Sequence, residues 1–200
     1  MAENAAAAES SAMRKEKKTL DPRIAFVIML VMLCIALCIG ANKAWRKNRE
    51  GVDASFAVWQ ESMQLRTETA YNLLTVAKRY LPEESDLIRA VRTDLSGMEN
   101  DASSAVNQRA AAGAAFVADA GALLKALAEN TAVQQDSRDS MYVNLMLPQA
   151  VEQCSDESSL NAYNTAASGY NDAMRCFSGL LARLTGVNRA ALISADAAAE

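Results

Sequence analysis

Residues 52–80 read VDASFAVWQESMQLRTETAYNLLTVAKRY, and one face of this stretch is almost wholly apolar. Its positions, spaced by three or four residues, are Val52, Phe56, Trp59, Met63, Arg66, Ala70, Leu73, Ala77 and Tyr80. This spacing aligns side chains along one side of an α-helix. The stretch therefore predicts one amphipathic helix, separated only by Gly51 from the residues before it and ended or kinked by Pro82.

Three later segments carry comparable apolar stripes, at residues 95–127, 141–151 and 160–184. The first weakens only at SGMEND, where a bend in one long helix is expected. The second contains Pro148, which predicts a shorter or kinked helix. Because 8 Gly and 3 Pro provide few turn formers, the connections should be short. We predict an all-α fold in which an elongated antiparallel four-helix bundle spans residues 52–186.

An uncharged apolar run precedes the bundle, IAFVIMLVMLCIALCIGA at residues 24–41. Eighteen such residues are just enough to cross a bilayer as a helix. A cleaved signal peptide is the competing interpretation, but its apolar part would be shorter. We predict a single transmembrane helix over 23–42, after a disordered tail at 1–22. Residues 187–200 are expected to be frayed or disordered.

Charge bears on topology and on partners. Five basic residues precede the apolar run and four follow it, which by one residue favours an inside amino terminus and an outside bundle. These flanking cations are expected to contact lipid head groups. Residues 52–200 contain 11 basic and 19 acidic side chains, a balance that argues against a nucleic-acid partner.

The composition also restricts the chemistry. The chain has no histidine, which excludes Ser-His-Asp triads and histidine-based zinc sites. The four cysteines form no CxxC pair, and Cys154 and Cys176 are either small buried residues or a disulfide if they face an oxidising compartment. No catalytic residue, metal or cofactor is predicted.

Two arginines occupy positions where the stripes call for apolar residues, Arg66 in the first and Arg109 in the second. A buried guanidinium needs partners, since leaving it unpaired costs several kcal/mol. Glu68, Asp119 and the asparagines of the fourth stripe are candidate partners. Three interpretations are open: a side chain that extends its charged end into water, a polar layer that fixes helix register, or an anchor for a ligand.

The sequence YNTAASGYNDAM, beginning at residue 163, repeats a Tyr-Asn pair after seven residues. Seven residues are nearly two helical turns, so Tyr163 and Tyr170 should share one line and Asn164 and Asn171 the line beside it. The tyrosines are expected to pack in the core or at an interface. A small polar ligand held by tyrosine hydroxyls and amides is the alternative.

Several of these residues also match a known family. The tract QLRTETAYNLLTVAKRY, residues 64–80, resembles the bacterial LemA signature R-x-D-L-I-P-N-L-V-x-x-V-K-x-Y, with Glu68 in place of its aspartate. VNQRAAA, with Arg109, resembles the second LemA block, and the Tyr-Asn repeat resembles its closing Y-N-x-A-V-x-x-Y-N element. Matching positions in the first tract are Arg66, Asn72, Leu73, Lys78 and Tyr80. Two LemA elements are missing: NKAWRKNRE replaces the Y-N-x-L-V after the membrane helix, and LLARLTGV the carboxy-terminal F-P and Gly-Phe elements.

The resemblance implies a divergent LemA member, an elongated helical bundle anchored in the bacterial inner membrane without established enzymatic activity. We therefore expect a scaffold or interaction module that binds lipid through its amino-terminal helix and binds a protein partner or a second copy. The alternative is a sensory bundle that binds a small ligand. Candidate polar-layer or interaction residues are Arg66, Glu68, Asn72, Arg109, Tyr163, Asn164, Tyr170 and Asn171.

Overall fold

The computed structural model of the chain describes residues 21–100 and 105–195. These ranges contain helices and no strand, so the predicted all-α class is confirmed. In chain order the α-helices are α1 (Pro22–Tyr80), α2 (Asp86–Met98), α3 (Val106–Ala128), α4 (Thr131–Gln135), α5 (Ser137–Met141), α6 (Leu147–Cys154), α7 (Ser158–Ala173) and α8 (Phe177–Leu184). A π-helical turn, Tyr142–Met146, connects α5 to α6.

α1 is one unbroken helix of 59 residues that contains both the apolar run and the first amphipathic stripe. Asp21 caps its amino terminus by accepting a hydrogen bond from the Arg23 amide at 3.0 Å, with Pro22 in the first turn. The helix ends before Pro82, as predicted. The predicted disordered tail falls almost wholly on residues 1–20, outside the described residues.

Two helices in the described ranges are long and apolar enough to cross a membrane, α1 and α3. The apolar window of α1 has a mean hydropathy of 3.0 and none of it is buried, whereas 39% of the α3 window is buried. α3 also packs against α1, α2 and α6, as a core helix of a bundle does. The amino-terminal part of α1 is therefore the candidate membrane span.

Residues 60–100 and 105–154 form an antiparallel four-helix bundle, here called the bundle half. α1 runs away from the apolar run, α2 returns, α3 runs outward again, and α4 to α6 return. At the outer end the Asn130 amide donates to the Tyr80 carbonyl at 3.1 Å. The largest fully buried side chains between these helices are Phe116, Met63, Leu73, Ile88, Met98, Leu123, Leu127 and Leu147.

The predicted single helix over 95–127 is wrong, because α2 and α3 form a hairpin. A Cβ on Gly97 would lie 2.7 Å from Ala112 Cβ, so the two helices approach closely where they pack. The two helices run in opposite directions, and the apolar stripe of each faces the same core. The three-four spacing continues across the reversal, and periodicity alone therefore did not reveal it.

The predicted shorter or kinked helix near Pro148 is found as the short helix α6, which follows the π-helical turn. The Leu147 amide donates to the Tyr142 carbonyl, five residues back, as in a π-helix. Pro148 has no amide hydrogen, and in a regular α-helix its ring would crowd the Asn144 carbonyl. The wider π-helical turn accommodates the proline without ending the fourth side of the bundle.

Residues 21–59 and 155–195 form the anchor half, in which α7 and α8 pack along the lower part of α1. The predicted continuous helix over 160–184 is wrong, since α7 and α8 are separated by a turn. A Cβ on Gly179 would lie 2.2 Å from the Met174 carbonyl oxygen, so the turn between the two helices can be this tight only with glycine at that position.

Residues 187–195, here called the tail segment, lie against α7 without regular secondary structure. Val187, Ala190 and Ile193 are buried in the core. The predicted frayed or disordered carboxyl terminus is therefore wrong for these nine residues. Residues 196–200 lie outside the described part of the chain.

Candidate functional site

Arg66 is buried in the bundle half, where it closes the end of a neighbouring helix. Only 6% of the residue is exposed. Its Nε donates to the Cys154 carbonyl at 2.8 Å and a terminal nitrogen donates to the Asp156 carbonyl at 3.4 Å. Cys154 is the last residue of α6, so the cation satisfies carbonyls at the negative end of that helix dipole. Burial lowers the pKa of Arg66 from its usual value.

The space for this guanidinium depends on Gly113 in α3. A Cβ at Gly113 would lie 2.9 Å from Arg66 Nη1 and 2.9 Å from Met63 Cε. The Met63 sulfur also lies 3.7 Å from that nitrogen. Sequence reasoning did not identify Gly113, because no local pattern distinguishes a glycine that makes room for a side chain from another helix.

Arg109 has a similar position in the hairpin. Its Nε donates to the Met98 carbonyl at 3.0 Å, and Met98 is the last residue of α2. Its guanidinium carbon lies 5.9 Å from the centroid of the Trp59 ring, within cation–π range. Each arginine in an apolar stripe therefore caps the carboxyl end of a helix, which favours the polar-layer interpretation over an extended, solvated side chain.

The acidic partners predicted for these arginines lie elsewhere. Glu68 is exposed and accepts a hydrogen bond from Gln64 at 2.9 Å. Asp119 interacts with Asp94 across the α2–α3 hairpin. Burial, and then the neighbouring Asp119 carboxyl, raise the pKa of Asp94 to about 6. The bundle half therefore sets the buried Asp94 carboxyl beside the half-buried Asp119 carboxyl.

Asn164 and Asn171 form a clamp on the tail segment. The Asn164 amide accepts from the Ile193 N–H at 2.9 Å and donates to the Ile193 carbonyl at 2.8 Å. Asn171 makes the same pair of bonds with the Ala190 N–H and carbonyl, at 2.9 and 2.8 Å. Each side-chain amide thus pairs with the backbone of one residue as a neighbouring β-strand would.

The spacing of the two asparagines matches the spacing of their targets. Seven helical residues rise about 10.5 Å, and three extended residues span about 10 Å. Asn164 and Asn171 therefore reach Ile193 and Ala190 in register, with the tail segment antiparallel to α7. The predicted line of two asparagines is present, and both asparagines bind the backbone of the tail segment.

The two tyrosines of the repeat are largely buried and face α1, as the packing interpretation expects. The Tyr163 hydroxyl donates to the Ala191 carbonyl at 2.6 Å, and its ring lies 5.4 Å from Phe56. Tyr170 meets Trp45 edge-on at 5.7 Å, and its buried hydroxyl has no hydrogen-bond partner among the described residues. Burial raises the pKa of both phenols.

A groove of about 460 Å³ lies at the outer end of the bundle half, and Asn72 is on its wall. Asp139 accepts from Arg79 at 3.1 Å and from the Tyr80 hydroxyl at 2.7 Å. The Tyr80 hydrogen bond lowers the pKa of Asp139. Sequence reasoning did not identify the contact between Arg79 and Asp139, because the two residues lie 60 positions apart in the chain. Met141, Tyr142 and Met146 complete the apolar part of the groove.

The cysteines are free thiols, with Cys154 buried and Cys176 exposed. Cys154 lies beside Arg66, whereas Trp45 bonds to Ser178 next to Cys176. Arg66 and Trp45 are about 30 Å apart along α1 at 1.5 Å per residue. A disulfide needs Cα atoms within about 7 Å, so an intrachain Cys154–Cys176 bridge is incompatible with this fold.

Apart from the exposed Glu68, the predicted site residues thus occupy three places: the arginine caps, the asparagine clamp with the tyrosines beside it, and the groove at the outer end of the bundle half, here called the outer groove. Within residues 21–100 and 105–195, no group of three histidine, cysteine or carboxylate side chains is arranged to hold a metal ion. The contacts define a helical protein in which polar residues of the apolar stripes have structural partners. The two arginines bind the carboxyl ends of helices, and the two asparagines bind the backbone of the tail segment. No protein-family model, curated protein or solved structure matches the chain. The resemblance to the LemA family stays a prediction.

Proposed function

We propose that this chain is a non-enzymatic interaction module of the LemA type, anchored in a bacterial inner membrane, which presents a protein-binding surface at a fixed distance from the bilayer. The observation that carries the proposal is the continuity of α1. One helix without a break joins the exposed apolar run to the outer end of the bundle. The partner is another protein or a second copy of this chain.

A second apolar surface supports the membrane anchor. α8 exposes Phe177, Leu180 and Leu184 to the extent of 72%, 50% and 82%. Thr185, directly after α8, accepts a hydrogen bond from Asn42, the residue that follows the apolar run. The exposed stripe of α8 therefore lies where the bilayer interface would begin.

Basic side chains surround the same level of α1. Lys43, Arg46 and Lys47 line a groove that also includes Ile39 and Thr185. In a membrane this arrangement puts cations among lipid head groups and the α8 stripe against acyl chains. Two apolar surfaces and a basic belt at one end of the molecule fit a lipid interface better than they fit bulk water.

The outer groove is the surface proposed for the protein partner. Tyr80 lies about 57 Å beyond Asn42 at 1.5 Å per helical residue. Met141, Leu145 and Met146 are each more than half exposed there, and methionine side chains adapt readily to a partner surface. The Arg79–Asp139 pair supplies charge at the edge of this apolar patch.

Cross-linking in intact cells, followed by purification in mild detergent, tests this function. We expect a stoichiometric protein partner or a dimer, and we expect Met141→Glu with Met146→Glu to remove it. Val58→Glu is the matched control, because Val58 is 54% exposed on α1 outside this groove. Recovery of monomer alone, or equal loss with the control variant, would contradict the proposed surface.

Membrane topology has its own test. Cys176 is exposed, and a hydrogen bond from Ser178 lowers its pKa, which favours reaction with a thiol reagent. With an outside bundle, a membrane-impermeant maleimide should label Cys176 in whole cells as strongly as after lysis. Cys176→Ser should abolish that label. Labelling that requires lysis would put the bundle on the inner side.

A further inference from the structure

The tail segment is held almost like a bound peptide. Besides the four bonds from Asn164 and Asn171, Tyr163 donates to the Ala191 carbonyl and Arg49 donates to the Asn188 carbonyl at 3.3 Å. The Ser194 amide donates to Asn107 at 3.2 Å. All seven of these hydrogen bonds end on a backbone nitrogen or oxygen of the tail segment. Any extended polypeptide has the same groups.

The tail segment buries only apolar or small side chains, and it buries them at regular intervals of three residues. Val187, Ala190 and Ile193 are buried, one at every third position, and Leu192 between them is 54% exposed. A repeat of three is the period of a polyproline II helix. The cleft that receives the tail segment, here called the tail groove, thus admits an apolar or small side chain at each third residue and leaves the others in solvent.

The tail segment can also leave without unfolding a helix. Gly186, two residues after α8, has a φ of +89°, a conformation that favours glycine. The Gly186 and Val187 amides donate to the Arg183 and Ala182 carbonyls at 3.1 and 3.0 Å, so the cap of α8 is complete before residue 188. The nine residues bury three side chains of modest size. Segments with few buried contacts open locally at low free energy.

We propose that the tail groove is a receptor for an extended segment of a partner protein, with an apolar or small residue at every third position, and that the tail segment is its intramolecular competitor. This inference rests on the proposed interaction function and names the chemistry of one partner. The tethered tail segment acts at an effective concentration of about millimolar, so the groove opens to a partner only when the tail segment is released.

The test uses the full chain in detergent micelles and a fluorescent peptide with the sequence GVNRAALISA, residues 186–195. Ala190→Asp with Ile193→Asp releases the tail segment while Asn164 and Asn171 stay intact. We expect this variant to bind the peptide at least tenfold more tightly than the unaltered chain. A protease site inserted after Gly186, cleaved in the folded protein, provides a second way to free the groove.

Two matched controls test whether the backbone is recognised. A peptide methylated on the amide nitrogens of Ala190 and Ile193 lacks the donors to both asparagines and should bind at least tenfold more weakly. A peptide with Ser at the exposed positions but Val187, Ala190 and Ile193 retained should bind within about threefold. Adding Asn164→Ala and Asn171→Ala to the released variant should abolish binding.

Backbone recognition would be overturned if the methylated peptide bound as tightly as the unmethylated one. It would also be overturned if neither chain with a released tail segment bound the peptide while circular dichroism showed an intact helical fold. A dimer that forms by exchange of tail segments would overturn the choice of a separate partner. The Met141→Glu, Met146→Glu variant should bind the peptide normally. Failure of the outer groove and failure of the tail groove can therefore be distinguished.

Discussion

The bundle half and the anchor half use different means to hold their parts together. In the bundle half, large side chains fill the space between four helices, and two arginines close helix ends at Cys154 and Met98. In the anchor half, the decisive polar contacts run from side chains of one helix to the main chain of the tail segment. Packing between helices is hard to reverse, whereas an extended segment held by a few hydrogen bonds can separate from the helix that holds it.

The largest expected effect tests the bundle half. Arg66→Met keeps much of the side-chain volume but leaves the Cys154 and Asp156 carbonyls without their donor. We expect a loss of about 3 kcal/mol in the free energy of unfolding, because hydrogen bonds to buried charged groups are worth more than neutral ones. Arg109→Met, at a half-buried position, should cost less. Denaturant titration of each variant in detergent measures both, and an Arg66→Met chain of undiminished stability would contradict the cap.

The next effect separates the two halves. Asn164→Ala with Asn171→Ala removes four hydrogen bonds and should cost about 2 kcal/mol, confined to the tail segment. Hydrogen exchange should show the amides of Ala190 and Ile193 losing protection by at least tenfold while the bundle half is unchanged. Asn144→Ala, an exposed asparagine in the π-helical turn, is the control. Loss of protection throughout the bundle would show that the halves are not separable.

A smaller effect, with a defined pH dependence, is expected at Asp94. Its pKa is raised to about 6, so the folded state holds the proton more tightly than the unfolded chain does. Ionisation therefore costs stability as the pH rises from about 4 to about 6. Asp94→Asn should raise the free energy of unfolding by about 1 to 2 kcal/mol at pH 7 and leave it nearly unchanged at pH 4. Parallel unfolding curves at the two pH values check this, and an equal gain at both would contradict the raised pKa.

The smallest effect concerns the exposed stripe of α8. Phe177→Ser with Leu184→Ser should change the free energy of unfolding by less than about 0.5 kcal/mol, since both side chains are mostly exposed. In bilayers a spin label at Leu180 should report contact with lipid-soluble oxygen, and the double variant should reduce that contact. A label that meets only water-soluble relaxants would contradict the interfacial position of α8.

In both halves, the features that depend on local sequence could be predicted, whereas those that depend on packing could not. The three-four spacing identified α1, and Pro148 identified the irregular turn, since both are local effects. The reversal of direction between α2 and α3 escaped prediction because the apolar stripe continues from one helix to the other. The acceptors of Arg66 and Arg109 escaped as well, because a helix end becomes a partner only after the helices are packed.

For the asparagine clamp, the alignment of the two asparagines could be predicted from the sequence, but the backbone that they bind could not. Seven-residue spacing put Asn164 and Asn171 on one line, and they do lie on one line. Their target was not visible, because the tail segment is short and its period of three resembles neither a helix nor a strand. A cue was available in hindsight: Val187, Ala190 and Ile193 are apolar or small residues three apart, after a glycine.

With its apolar run in a bilayer, as proposed, the unbroken α1 would make the molecule a lever as well as an anchor. Lipid would then set the direction of its lower part and the bundle that of its upper part, within one continuous helix. A change of ten degrees in the tilt of the membrane-embedded part would swing the outer end sideways by about 10 Å. Variation in bilayer thickness, which helices accommodate by tilting, would thus become movement of the outer groove over the membrane surface.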